Sequence, residues 1–141
     1  MTVYVESSAI VTWLLDQPKA AEVEAVLSAA DDVITSELTL VECDRALRRL
    51  QAVAVPGSVN TEAMRTRLEA AVAAWALEPI AGRVVERARG SFPDDTIRSL
   101  DAIHVATAVV VGASLGTLDV LSLDERIRSN AVALGFRVLP V

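Results

Sequence analysis

The sequence predicts an α/β fold, a three-layer sandwich in which helices flank a central, mostly parallel sheet. Two observations carry that expectation. Short β-branched runs recur along the chain, at Thr2–Val5 (TVYV), Asp32–Ser36 (DVITS) and within LDVLS, Leu118–Ser122. Helix-length segments separate them, so successive strands need crossover connections and pair in parallel. A chain of 141 residues has room for one ordinary core and not for two, which sets a single domain over residues 1–141.

The elements follow in order. After the first strand, Ser8–Leu15 reads as a helix. Pro18 stands where a first helical position belongs, its missing N–H costing nothing there, and opens a second helix through Ala30. The strand Asp32–Ser36 leads into a helix from about Glu37 to Ala52, and VPGS (Val55–Ser58) is a loop. Asn60 is placed to cap a helix running to about Trp75. ALEPI holds a brief strand, Gly82–Arg89 a helix, and GSFPDD another loop. Ser99 caps the apolar helix Leu100–Val111, Asp124–Leu134 forms the last helix, Gly135 stops it, and FRVLP is the final strand.

Hydrophobic residues make up 52% of the chain, yet no apolar run reaches the roughly 20 residues of a spanning helix. The longest, Ala102–Leu115, is interrupted by His104. A lone cysteine, Cys43, makes no internal disulfide and suits a reducing, cytoplasmic compartment. The surplus apolar surface suggests an oligomer or partner interface. A net charge of −6, taken alone, argues against a nucleic-acid partner, although a total does not fix its distribution. Arginines nevertheless cluster, at Arg45, Arg48 and Arg49, at Arg65 and Arg67, and at Arg83, Arg87 and Arg89. Such clusters bind phosphate in bidentate fashion, or sit as solvated helix faces paired with nearby acids.

In parallel α/β sheets, ligands bind beyond the carboxyl ends of the strands. Four acids fall at or near that edge: Glu6 ends the first strand, Glu42 lies in the helix after the second, Asp101 opens the apolar helix, and Asp124 follows LDVLS. Glu42 has Leu38 and Ala46 one helical turn away on either side, which puts its carboxylate on or beside the apolar stripe unless Arg45 pairs with it at the rim. Asp101 would gain roughly 0.3–1 kcal/mol from the helix macrodipole whatever else it does. Ser122 and Glu125 match an S-x-x-E capping box, which leaves Asp124 free to point elsewhere. Asp119 reads as a turn residue. His104, the only histidine, is expected to pack in the core or bond a backbone carbonyl, with a ligand or base as the alternative.

Carboxylates gathered on one edge repel one another unless cations neutralise them. An all-oxygen set with no Cys/His group at ligand spacing suits Mg²⁺ or Mn²⁺ over zinc, the chemistry of many phosphodiester hydrolases.

In block order across nearly the whole chain, YVESSAIV, ITSELTLVECDRALRR, LDAIHVATA and LSLDERIRSNAVALGFRVLP resemble the PIN domain, specifically the VapC-type toxin ribonucleases of toxin–antitoxin pairs. The resemblance implies a PIN-like fold and a Mg²⁺- or Mn²⁺-dependent endoribonuclease that cleaves structured RNA such as tRNA or rRNA. It also implies a homodimer neutralised by a VapB-type antitoxin, while the lack of a spanning apolar run leaves no membrane association expected. On block matching, Glu42, Asp101 and Asp124 become acidic site residues and metal ligands beside Glu6, and Ser8 and Ser122 become supporting hydroxyls. Arg45, Arg48 and Arg49 are the first choice for RNA contacts, and His104 matches a histidine treated as structural. Glu6 departs from the family pattern, which has Asp there. A tolerated variant, an attenuated or silent module that still binds antitoxin or RNA, and a substitution made to permit production all accommodate that departure. A phosphoacceptor receiver domain also gathers acids at strand ends, but it needs a lysine near its last strand, and Lys19 is the only lysine.

Overall fold

Five strands and seven helices alternate in the computed structural model, which describes all residues, Met1–Val141. They run β1 (Thr2–Val5), α1 (Ser7–Leu14), α2 (Ala20–Ala29), β2 (Asp32–Ser36), α3 (Glu37–Val53) and α4 (Thr61–Ala73), then β3 (Ala76–Glu78), α5 (Gly82–Ala88), α6 (Ser99–Leu115), β4 (Asp119–Leu121), α7 (Glu125–Ala133) and β5 (Arg137–Leu139). The sheet order is β3-β2-β1-β4-β5, and every pairing is parallel.

Strand β1 lies at the centre, with Tyr4 opposite Ile34 of β2 and Val120 of β4. Its side chains alternate between the two faces of the sheet, as a period of two requires. Val3 and Val5 pack with Ala9, Ile10, Leu14, Val23, Cys43 and Leu68 on one side. Tyr4 packs with Ala108, Val111 and Ala131 on the other. Helices therefore cover both faces, which a parallel sheet needs and which accounts for the near-continuous apolar strands. A third cluster (Val84, Phe92, Ala102, Val105, Ala106, Ile127) ties α5, α6 and α7 together.

Three local expectations are corrected. Pro18 precedes α2 without opening it: Lys19, with a φ of +78°, turns the chain and the helix starts at Ala20. Ser99 is the first residue of α6, and the cap position belongs to Arg98, which makes no side-chain capping bond. The cap of α7 is Asp124 itself, whose Oδ1 accepts the amides of Arg126 (2.9 Å) and Ile127 (3.0 Å). Ser122 acts one step earlier, its Oγ accepting the Asp124 amide at 3.1 Å. Asn60 does cap α4, accepting the Ala63 amide at 3.0 Å, and Gly135 ends α7 with a φ of +93°. Asp119 is the first residue of β4 and pairs with Arg137 of β5. No helix is long and apolar enough to cross a membrane.

Candidate active site

The chain leaves β1 toward β2 on one side and later returns to build β4 on the other. The order therefore reverses between β1 and β4, where a parallel sheet opens a crevice at its carboxyl edge. Glu6 follows β1 there, its amide extending the ladder to the Leu121 carbonyl at 3.1 Å. Asp124 follows β4. Glu42 comes in from the second turn of α3 and Asp101 from the first turn of α6. All four acids line one cavity of about 380 Å³, together with Ser7, Ser8, His104 and Arg49. Ser8 joins its two edges, since its Oγ accepts the Leu123 amide at 2.9 Å and fastens the start of α1 to the loop after β4.

Each carboxylate is held differently. Glu6 is buried at the cap position of α1, and both its oxygens face the Ser8 amide, one at 3.2 Å and the other closer. Burial pushes its carboxyl up to about 7, and the nearby Asp124 charge adds to the rise, against the opposing pull of His104 and Ser8. Burial also raises Asp101, helped by the charges of Asp124 and Glu42. Burial acts on Glu42 in the same sense, but hydrogen bonding and charge from His104, with a bond from Ser7, outweigh it and hold the carboxyl below its ordinary value. Glu42 accepts from the Ser7 hydroxyl at 3.0 Å and pairs with His104 Nε2. Asp124 spends Oδ1 on its helix cap.

This places every acid singled out in the sequence in one site. Glu42 pairs with His104 rather than Arg45, and His104 is buried as expected but bonds side chains instead of a backbone carbonyl. Ser122 is fully buried and outside the cavity wall, supporting Asp124 through the backbone. Of the three arginines, only Arg49 lines the cavity, whereas Arg48 faces a separate cleft with Gln51, Thr61 and Arg65. Ser7 and Tyr4 were not singled out; a hydroxyl beside Glu6 and a tyrosine within a core strand were the only signals. Cys43 is buried and its thiol pushed up to about 12 by burial and the Glu42 and Glu6 charges, so it offers no thiolate nucleophile.

The donor chemistry fits a hard divalent cation: four carboxylates supply oxygen only, and two of them are raised by burial and mutual charge. They line the walls of the cavity without three of them converging on one point.

A PIN-domain family model matches residues 3–133. The chain belongs to the PIN-domain family. Within it, the chain is VapC-like: it is 32% identical over 137 residues to ribonuclease VapC46 of Mycobacterium tuberculosis, covering 97% of this chain and 95% of that protein. Among solved structures, FitAcB from Neisseria gonorrhoeae superposes with a TM-score of 0.72 at 20% identity, covering 98% of this chain and 96% of that one. A toxin–antitoxin complex from Klebsiella pneumoniae gives 0.65 at 15% identity, with 98% and 96% covered. The PIN sandwich expected from the sequence is thus the fold observed, with a sheet that is wholly parallel.

Proposed function

We propose that this chain is a toxin endoribonuclease, dependent on Mg²⁺ or Mn²⁺, that hydrolyses phosphodiester bonds in RNA and is neutralised by a cognate antitoxin. The observation that carries the reading is the meeting of Glu6, Glu42, Asp101 and Asp124 around one cavity at the point where the strand order reverses. The ribonuclease name of a relative aligned over nearly its full length supports the RNA substrate. The likeness in fold to a toxin–antitoxin complex supports the partner.

In this reading Asp101, Asp124, Glu6 and Glu42 would hold the cation, and Ser8 fixes the spacing of the two edges they stand on. A bound divalent cation supplies positive charge for the developing phosphate oxyanion and lowers the pKa of the attacking water. The protein's own residues do the rest. Arg49, the one arginine on the cavity wall, offers a bidentate donor to a backbone phosphate. Glu42 and Asp101 orient water through their carboxylates. A homodimer belongs to the same reading, and light scattering of the antitoxin-free chain tests it.

Incubating antitoxin-free protein with total RNA and either metal is the deciding experiment. Discrete metal-dependent cleavage is the expected result, and intact RNA under both metals rejects the activity. A second reading, a silent module that binds antitoxin or RNA, draws on the Glu6 carboxylate being turned onto Ser8. It predicts binding without cleavage in this chain and in Glu6→Asp.

A further inference from the structure

Behind the cavity, a buried polar chain leads away from Glu42 into the core. The Tyr4 hydroxyl lies 2.8 Å from His104 Nδ1, and His104 Nε2 meets Glu42 Oε1. Tyr4 and His104 are both essentially inaccessible to solvent, at 0% and 1% exposure, so water cannot replace the bond between them. Tyr4 comes from the central strand, His104 from α6 and Glu42 from α3, which brings together three elements distant in sequence.

The donor and acceptor inventory constrains the roles. A carboxylate only accepts, so Nε2 must carry a hydrogen toward Glu42. With that hydrogen in place, Nδ1 of the neutral ring accepts from the Tyr4 hydroxyl 2.8 Å away, and Nδ1 of the imidazolium donates to it, so the Tyr4 oxygen serves as its partner in either form. The bond from Ser7 and the bond to Nε2 both fall on Oε1 of Glu42, and Oε2 takes neither. One oxygen is clamped while the other is left for the site.

We propose that His104 is a positioning residue for Glu42, oriented by the Tyr4 hydroxyl, and that this three-residue relay fixes the Glu42 carboxylate for cation binding and catalysis. The proposal rests on the ribonuclease reading, in which Glu42 is part of the site. A histidine merely filling core space would need no donor at Nδ1 and would leave Glu42 to rotate about its own side-chain bonds. Removing such an outer partner typically lowers metal affinity or activity by about 10–100-fold.

His104 is the only histidine, so its ring can be observed without assignment in protein carrying ¹⁵N-histidine. Tyr4→Phe deletes one oxygen and keeps the ring. His104→Leu removes the donor to Glu42, and His104→Gln returns an N–H. Three measurements are made on each: the imidazole spectrum, Mn²⁺ affinity from the free-ion electron paramagnetic resonance signal, and kcat and KM for RNA cleavage. In the parent protein, a sharp, slowly exchanging Nε2 proton is expected. Tyr4→Phe should shift the Nδ1 signal and broaden that proton, weaken Mn²⁺ binding about tenfold or more, and lower kcat by about 10–100-fold with KM within about twofold. His104→Gln should recover most of what His104→Leu loses.

Parent-level Mn²⁺ affinity and kcat in folded Tyr4→Phe would overturn the relay whatever becomes of the His104 variants. So would a folded His104→Gln no better than His104→Leu. A parent that binds Mn²⁺ but cuts no RNA rejects the ribonuclease reading alone, and the affinity series then still decides the relay. A parent that neither binds Mn²⁺ nor cuts RNA overturns both.

Discussion

The carboxylate of Glu6 closes back on the amide of Ser8, two residues along its own chain, so a strand-end acid serves as the cap of the helix that follows it. Asp124 makes the same curl onto the Arg126 amide, so the extra methylene of glutamate changes how far the carboxylate stands from the backbone and not whether it caps. Aspartate also caps helices well but holds its carboxylate closer to the backbone. Displacing a reacting group by about 1 Å can cost about 10²-fold in rate. Glu6→Asp is therefore expected to cleave RNA faster than the parent, by up to about that factor. Initial rates on one RNA with saturating Mn²⁺ check it, and equal rates would show that the longer side chain is tolerated.

Burial of Glu6 also makes stability depend on pH. Its carboxyl rises from an ordinary 4.5 to about 7 on folding, so between those values the folded state binds the extra proton. Stability from this group is fully present below about 4.5 and is lost as pH rises through about 7. The span corresponds to about 3 kcal/mol. Asp101, also raised, adds to the fall, while Glu42, held low, loses stability in the opposite direction as the solution becomes acidic. The difference between parent and Glu6→Gln isolates the Glu6 share. Denaturant titrations in chelator should show the parent losing more stability than Glu6→Gln between pH 4.5 and 7.5, and parallel curves would contradict the burial argument.

A cation bound by these carboxylates would relieve the same repulsion. Because it binds only the folded state, Mn²⁺ at 100 times its Kd should add about 2.7 kcal/mol of stability, an increase of several degrees in Tm. Asp101→Ala or Glu42→Ala should abolish that increase, since each removes a carboxylate from the cavity wall. Calorimetry of the three proteins with and without Mn²⁺ decides the point. Identical melting in all of them would count against a cation site at this edge.

How much of this was legible in the sequence follows from the range of the forces involved. The strands and helices came from periodicity, a local property, and Glu6, Glu42, Asp101 and Asp124 stood out because each sits where a carboxylate is expensive to bury. Their gathering around one cavity followed from the parallel topology, since consecutive crossovers deliver strand ends to one edge. Partnerships were invisible. His104 meets Tyr4 across 100 residues of sequence and Glu42 across 62, and no local spacing encodes either bond. Local signals also misled where two residues competed for one role. Ser122 and Glu125 have capping-box spacing, but the carboxylate of Asp124 reached the free amides of α7 first.

The arginines are the last case in which tertiary placement separates sequence neighbours. Arg45, Arg48 and Arg49 share one stretch of α3, yet only Arg49 reaches the acidic cavity, whereas Arg48 turns to a cleft shared with α4. Helical geometry explains the division: Arg49 lies seven residues, about two turns, after Glu42 and so shares its face. A phosphate held at the site would meet Arg49 first. Each phosphate neutralised by a basic side chain contributes about −0.7 to the logarithmic salt slope on single-stranded nucleic acid. Arg49→Glu should therefore weaken RNA binding and flatten that slope by about one phosphate's share, while Arg48→Glu should leave the slope nearly unchanged. Binding isotherms of a non-cleaved RNA at three salt concentrations measure both. Equal loss in the two variants would mean that RNA runs over the outer face of α3 instead of into the cavity.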